Sequence, residues 1–311
     1  MTRTIGIFVF PGFSTIDLAM MTVFELANRQ PGGPFYTLSL LSDRDGIVAS
    51  GAGAMVQARA YRDTDEVFDT ILLFSTHQSM PGDTDVVAAL RRAGEAARRT
   101  GTVCSGMRLM GATGLLDGCR VTTHWSRAAE LQARFPKLKV EPDQIYVRDG
   151  KHWSSSGMTA SVDLALAMIE EDLGVDTALA VARMLVVYHW RSGSHTQTST
   201  LLAMAPKCDR IQSALTYARQ NLRRPLTVDE LADEVGLSRR HFTRIFRNET
   251  GQSPARAIET LRAEAARTML DSASLSLDTV ARESGFNSAD QMRDALVRVY
   301  GKTPQALRRR A

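Results

Sequence analysis

The strongest constraint on this 311-residue chain is an internal repeat. The stretch LTVDELADEVGL at 226–237 returns as LSLDTVARESGF at 275–286, a shift of 49, and GQSP at 251–254 returns as GKTP at 301–304, a shift of 50. Self-similarity at such a period marks a duplicated supersecondary unit. Each copy reads as helix, glycine turn, helix, glycine. In the first copy Thr227 and Glu230 have capping-box spacing, so a helix starts there and buries Leu231 and Ala232. Gly236 suits the left-handed turn that ends it, and Ser238 can cap the next helix. In that second helix Phe242, Ile245 and Phe246 lie at i, i+3 and i+4 and face a core. Arg239, Arg240, Thr243, Arg244 and Arg247 are left pointing outward. Guanidiniums on an exposed helix after a tight turn supply the bidentate donors that guanine edges and phosphates accept in a major groove.

The second copy has a different surface chemistry. Ser288 and Gln291 form its capping box, and Met292, Ala295, Leu296 and Val299 form its apolar stripe. Its outward face mixes Asp290 and Asp294 with Arg293 and Arg298, and carboxylates near phosphates cost affinity. Charge supports the same division. From Lys207 to the end there are 19 Lys+Arg against 13 Asp+Glu, a net of +6, whereas the first 206 residues carry 19 against 21, a net of −2. A basic segment on a near-neutral remainder points to nucleic acid. The competing reading, two capped hairpins that pack only on each other or on a protein, leaves the arginine face unexplained. The chain holds 33 Arg and 5 Lys, so the argument rests on where the arginines stand and not on their number.

Residues 208–308 resemble the AraC/XylS-type DNA-binding domain, two helix-turn-helix units on a shared connecting helix. The resemblance rests on LAxxVGLS at 231–238, FRNETG at 246–251, Ser253-Pro254, the connector LRAEAARTML at 261–270 and VAxxSGF at 280–286. It implies that Arg240, Thr243 and Arg244 meet bases, and that the partners are double-stranded promoter DNA and RNA polymerase. The second unit departs from the pattern, with Gln291-Met292 where an aromatic is usual and Asp294 near a base-contacting position. Ser288, Asp290 and Arg293 remain its candidate contacts, and base preference is expected mainly from the first unit.

The first two thirds of the chain alternate apolar β-branched runs with helical stretches, the pattern of a parallel sheet with helices on both faces. Strands are expected at 5–10, 36–41, 70–74 and 102–104, and helices at 18–28, 85–99 and 161–171. Arg91-Arg92 and Arg98-Arg99 read as one solvated helix face. Between residues 188 and 206 the chain turns rich in Ser, Thr, Gly and His, without apolar periodicity, and reads as a linker. The expected domains are 1–190, a linker at 191–206, and an all-α domain at 207–311.

Cys104 stands at a strand-to-helix break, TVCSG at 102–106. There a thiol is exposed at a helix N-terminus, whose dipole is expected to lower its pKa. His124 is a candidate base, and Asp17, after the first strand, a candidate acid. The other histidines show no metal spacing, and Cys104, Cys119 and Cys208 fit neither a disulfide framework nor a zinc site. No secretory h-region and no membrane-length apolar run is visible, so a cytoplasmic location is expected.

Residues 3–190 resemble the DJ-1/PfpI superfamily, the class I glutamine amidotransferase-like fold. The matching stretches are FVFPGF at 8–13, IDL at 16–18, CSG at 104–106, GLLDG at 114–118, VTTHW at 121–125 and SSGMTASVDLAL at 155–166. The last two blocks resemble the version fused to AraC-type domains in GlxA-like regulators. In catalytic relatives the positions of Cys104 and Asp17 hold the nucleophile and its acidic partner. The glycine pair usual after the third strand is replaced by Ser75-Thr76-His77, which removes close backbone donors for an oxyanion. The resemblance therefore implies a homodimeric activator without a cofactor. Its α/β domain senses a small, nitrogen-containing effector in a non-catalytic pocket drawn from Asp17, His77, Cys104 and His124. The alternative is a cysteine hydratase or amidase fused to a DNA-binding domain.

Overall fold

In the computed structural model, described over residues 2–63, 66–75, 84–187, 190–193, 195–199, 204–270 and 275–308, the chain forms two compact units, Met1–Gln197 and Thr198–Ala311.

The first unit is a mostly parallel sheet between helical layers. Its strands are β1 (Arg3–Phe8), β2 (Tyr36–Ser42), β3 (Gly46–Ala49), β4 (Met55–Ala60), β5 (Thr70–Leu73), β6 (Arg99–Val103), β9 (Tyr146–Asp149) and β10 (His152–Ser155), in the order β3-β4-β2-β1-β5-β6-β10-β9. The short pair β7 (Arg120–Val121) and β8 (Lys139–Val140) stands apart. The antiparallel pairs, β3 with β4 and β9 with β10, lie at the two edges, and the rest of the large sheet is parallel. The first strand shows why both faces are covered. Ile5, Ile7 and Val9 pack with α1 (Leu18–Asn28), α5 (Ala160–Leu173) and α6 (Val175–Met184), while Phe8 and Phe10 pack with α2 (Thr84–Ala96), α3 (Met107–Ala112) and α4 (Ala128–Arg134). Alternate side chains point to opposite faces, so an apolar run on a central parallel strand feeds two cores at once.

One local expectation fails here. The helix expected over 85–99 ends at Ala96, and Arg99 opens β6 at 1% exposure. Its guanidinium donates to Glu171 at 2.9 Å and Asp172 at 2.7 Å, and it lies 5.5 Å from the Trp153 ring. Arg98 grips Asp69 and Asp172 at 2.8 Å each. A buried cation is tolerable only when paired and hydrogen-bonded, and the paired carboxylates stand some seventy positions away in sequence. Within the stretch expected as a linker, Arg191 and Gln197 hydrogen-bond back to the α/β unit. The Arg191 N–H and guanidinium reach Asp163 at 2.9 and 2.6 Å, and the Gln197 side-chain amide donates to the carbonyls of Thr123, Pro142 and Gln144 at 2.8–3.0 Å. Polar composition removes an apolar core, but it does not prevent docking by hydrogen bonds.

The second unit is all-helical: α7 (Asp209–Gln220), α8 (Val228–Glu234), α9 (Arg239–Thr250), α10 (Pro254–Leu270), α11 (Leu277–Glu283), α12 (Ala289–Tyr300) and α13 (Pro304–Arg308). It has two cores joined by one helix. Ala257, Ile258 and Leu261 of α10 pack with Leu231, Phe242 and Phe246, and Ala263, Ala266 and Leu270 pack with Val280, Met292 and Leu296. The repeats are further tied by Arg262, which donates to the Leu222 and Arg224 carbonyls at 3.2 and 2.8 Å. At Gly285 (φ +86) a Cβ would sit 1.8 Å from the Leu222 carbonyl oxygen, so this second-repeat turn needs glycine for contact as well as conformation.

Candidate nucleic-acid interface and cysteine site

The helix-turn-helix geometry grows from its caps. Thr227 Oγ1 accepts from the Glu230 N–H at 3.1 Å, starting α8. The reciprocal arm of the expected capping box is absent, because the Glu230 carboxylate accepts from the Tyr217 hydroxyl at 2.9 Å and pairs with Arg224. Ser238 Oγ accepts from the His241 N–H and sets the start of α9, where Phe242 and Phe246 are buried and anchor the helix. Ile245 is half-buried beside them.

On the opposite face Arg239, Arg240, Thr243, Arg244, Arg247 and Asn248 line one shallow open depression. Arg239 is tethered to Asp229 at 3.0 Å. Among the described residues, no carboxylate pairs with Arg240, Arg244 or Arg247, which are all exposed. Three uncommitted guanidiniums on one capped helix make a polyanion-binding face. Asn248, which the sequence reading passed over, joins it one turn after Arg244.

The matching face of α12 is electrostatically closed. Ser288 Oγ accepts from the Gln291 N–H at 3.2 Å, and Gln291 Oε1 accepts from the Asn287 N–H at 2.9 Å, so the capping pair forms, displaced by one residue on its return arm. Arg293 is held by Asp290 at 2.9 Å and Asp294 at 3.2 Å. Arg298, expected to point outward, folds back to Glu259 of α10. The second helix therefore presents cations already answered by carboxylates.

The cysteine site is built by chain reversal. β6 ends at Val103, and Cys104 (φ +48) opens a single 3-10 turn, Cys104–Gly106, that leads into α3. A positive φ on a non-glycine residue is a strained conformation that surrounding packing must hold. Gly157 does so from the opposite side: a Cβ there would lie 2.4 Å from the Cys104 Cβ. Thr123 Oγ1 donates to the Cys104 carbonyl at 2.9 Å.

The expected lowering of the thiol pKa does not occur. Burial pushes the Cys104 thiol above its ordinary value, and the Asp17 carboxylate adds to the rise. The backbone N–H groups of Ser105 and His124, together with Arg127, pull the other way and do not win. A single 3-10 turn offers little dipole against that desolvation. Asp17 is fully buried at the start of α1 and accepts from the Ser75 N–H at 2.8 Å and from the Ser75 hydroxyl. The His124 ring is engaged elsewhere. Its Nδ1 lies 2.8 Å from the Ser126 hydroxyl and accepts from the Ser126 N–H, capping the next turn, and its ring centroid is 5.4 Å from that of Trp125. Burial and Arg127 hold its pKa below the usual histidine value. Asp17, Cys104 and His124 thus gather at one site, with the imidazole occupied as a cap. His77 lies outside the described residues. The contributions of Ser75, Gly157 and the His124 backbone N–H come from chain-distant loops whose motifs the sequence showed without showing that they meet at Cys104.

Comparison with known proteins gives a class to this pair of units. Residues 3–171 match the DJ-1/PfpI family, and residues 231–310 match the helix-turn-helix domain. The chain belongs to the DJ-1/PfpI family, in the form that carries an AraC-type helix-turn-helix domain after the α/β unit. It is 28% identical to the HTH-type transcriptional regulator GbdR of Pseudomonas aeruginosa over 97% of this chain and 83% of that protein. It is 29% identical to the HTH-type transcriptional regulator GlxA of Rhizobium meliloti over 99% and 96%. An isonitrile hydratase of Pseudomonas putida is 31% identical over 60% of this chain and 78% of that protein. In fold, the chain resembles an AraC family transcriptional regulator from Pseudomonas putida, with a TM-score of 0.54, 19% identity, and coverage of 59% of this chain and 99% of that one.

Proposed function

We propose that this protein is a sequence-specific DNA-binding transcription regulator in which α9 reads the major groove and the α/β unit binds a small effector beside Cys104 without turning it over. The observation that carries the reading is the face of α9, where Arg240, Arg244 and Arg247 are exposed and unmatched by any described carboxylate while the helix is anchored by buried Phe242 and Phe246. Similarity over nearly the whole chain to GbdR and GlxA supports it. Bases are met by Arg240, Thr243 and Arg244, and phosphates by Arg239 and Arg247. The second helix, through Ser288, Asp290 and Arg293, positions more than it reads. A homodimer formed through the α/β unit, activation through RNA polymerase, a cytoplasmic location and a nitrogen-containing effector complete the proposal. Among the described residues no helix is long and apolar enough to cross a membrane. Gel-shift titration of the full chain on fragments of its own promoter region tests the DNA reading. Binding of every fragment alike, even in competitor DNA, would refute sequence specificity.

The non-catalytic part rests on the raised Cys104 thiol, which withholds thiolate from a nucleophile, and on His124 Nδ1 being taken up in capping the next turn. The second reading, a cysteine hydratase or amidase, draws on the identity to isonitrile hydratase and on the two N–H groups that face the thiol. Incubating the protein with isocyanides and primary amides decides between them: turnover that disappears in Cys104→Ala establishes the enzyme.

A further inference from the structure

The α/β unit holds a cavity on the sheet face covered by α2, lined by side chains that the cysteine site does not use. It encloses about 260 Å³ between Phe8 and Leu41 of the sheet, Phe68 before β5, and Ala93 on α2, and its polar wall includes Tyr61 and Arg92. Tyr61 is 7% exposed, and its hydroxyl is buried without a hydrogen-bond partner. A buried hydroxyl left unmatched is costly, and an incoming hydrogen-bond acceptor relieves that cost. The charges around it are unevenly committed. Arg62 pairs with Asp85 and Glu66 with Arg59, and on α2 Arg91 pairs with Glu95. Among the described residues, Arg92 alone of the lining arginines has no carboxylate within ion-pair distance.

From this arrangement we propose that the cavity binds a small carboxylic acid with a compact apolar body. Its ring or short alkyl chain lies against Phe8, Leu41, Phe68 and Ala93, and its carboxylate accepts from the Tyr61 hydroxyl and the Arg92 guanidinium. The volume lies just below the roughly 300 Å³ at which pockets for drug-sized ligands begin, and limits the guest to one ring or a short chain. An amine of the same shape meets Arg92 as a like charge, and the matching alcohol loses the charge-assisted bond. This site is separate from Cys104 and does not depend on what that site binds.

The test uses the full chain and four probes, benzoate, hexanoate, benzyl alcohol and benzylamine, by calorimetric titration. Benzoate and hexanoate are expected to bind, benzyl alcohol at least tenfold more weakly, and benzylamine without measurable heat. Arg92→Gln should weaken benzoate about tenfold and leave benzyl alcohol unchanged. Tyr61→Phe should weaken benzoate roughly fivefold, the value of one hydrogen bond. Ala93→Leu fills the cavity from a half-buried position and should abolish benzoate binding with the melting temperature held. Cys104→Ala should leave benzoate binding intact. Failure of both acids to bind overturns the proposal, as does binding that survives Ala93→Leu, or binding lost in Cys104→Ala but kept in Ala93→Leu and Arg92→Gln.

Discussion

At the scale of single residues, the two sites differ in what their charged groups are free to do. Arg244 is exposed and unmatched, so Arg244→Ala should cost about 1–3 kcal/mol at a specific operator and relax preference at one or two base pairs. Arg247→Ala should weaken all sequences alike. Unchanged operator affinity for Arg244→Ala in gel-shift titration removes it from base recognition. Cys104 is the opposite case, a group held back by burial. Burial holds its thiol above the ordinary cysteine value, so alkylation by iodoacetamide should still be accelerating at pH 9. A rate that levels off near or below about pH 8.5, the ordinary cysteine range, would mean that the backbone N–H groups prevail over desolvation. The sequence placed Cys104 at a strand end correctly and drew the wrong sign for its pKa. Burial comes from the loops around residues 75, 124 and 157, and none of them is visible from TVCSG alone.

At the scale of elements, α12 and α9 share a fold and differ in electrostatics. Arg293 is clamped by Asp290 and Asp294, so the double change Asp290→Asn with Asp294→Asn should release it. DNA affinity should rise, and the slope of log K against log salt should steepen by about 1. An unchanged slope would show that α12 stays clear of the phosphates. The strand pair β6 and β10 yields a pH prediction. His152 of β10, 2.8 Å from Thr100 Oγ1, has its pKa lowered by burial and then by Lys151. The unfolded chain, at the ordinary 6.5, takes up the proton before the folded one. Stability is therefore complete above that value and declines as pH falls below it. Melting temperatures followed from pH 8 to pH 5 in wild type and His152→Asn test this. Equal slopes for the two would assign the loss to other groups. Both α9 and α12 were legible because capping residues, glycine turns and the 3.6-residue apolar stripe are local signals. The end of α2 was not, because Arg98 and Arg99 are answered by Asp69, Glu171 and Asp172 far along the chain.

For the whole molecule, the division after Gln197 predicts modularity. A fragment of residues 198–311 carries both helical cores, joined through α10, and should fold and bind operator DNA more weakly than the full chain, since a second, linked site is lost. A fragment of residues 1–197 should sediment as a dimer, and a monomer would move dimerisation elsewhere. A fragment cut at 190 should be less stable than one ending at 197, because Arg191 and Gln197 bind back to Asp163 and to the carbonyls of the 123–144 region. Each of these contacts ties a chain end to a buried or half-buried group, so the loss should appear as a lower melting temperature of several degrees.

Local periodicity and duplication were enough to determine the α/β-then-all-α order, the paired helix-turn-helix units and the arginine face of α9, because caps, turns and apolar stripes are set by residues within a few positions and the repeat shows the same signals twice. Only the tertiary structure decided which charges are free. It buries Arg99 between two acidic side chains, turns the His124 ring into a cap, raises the Cys104 thiol and closes Arg293 between aspartates. Each of those outcomes is set by desolvation and by partners brought together through folding, and a one-dimensional pattern of residue types does not contain distances between remote side chains.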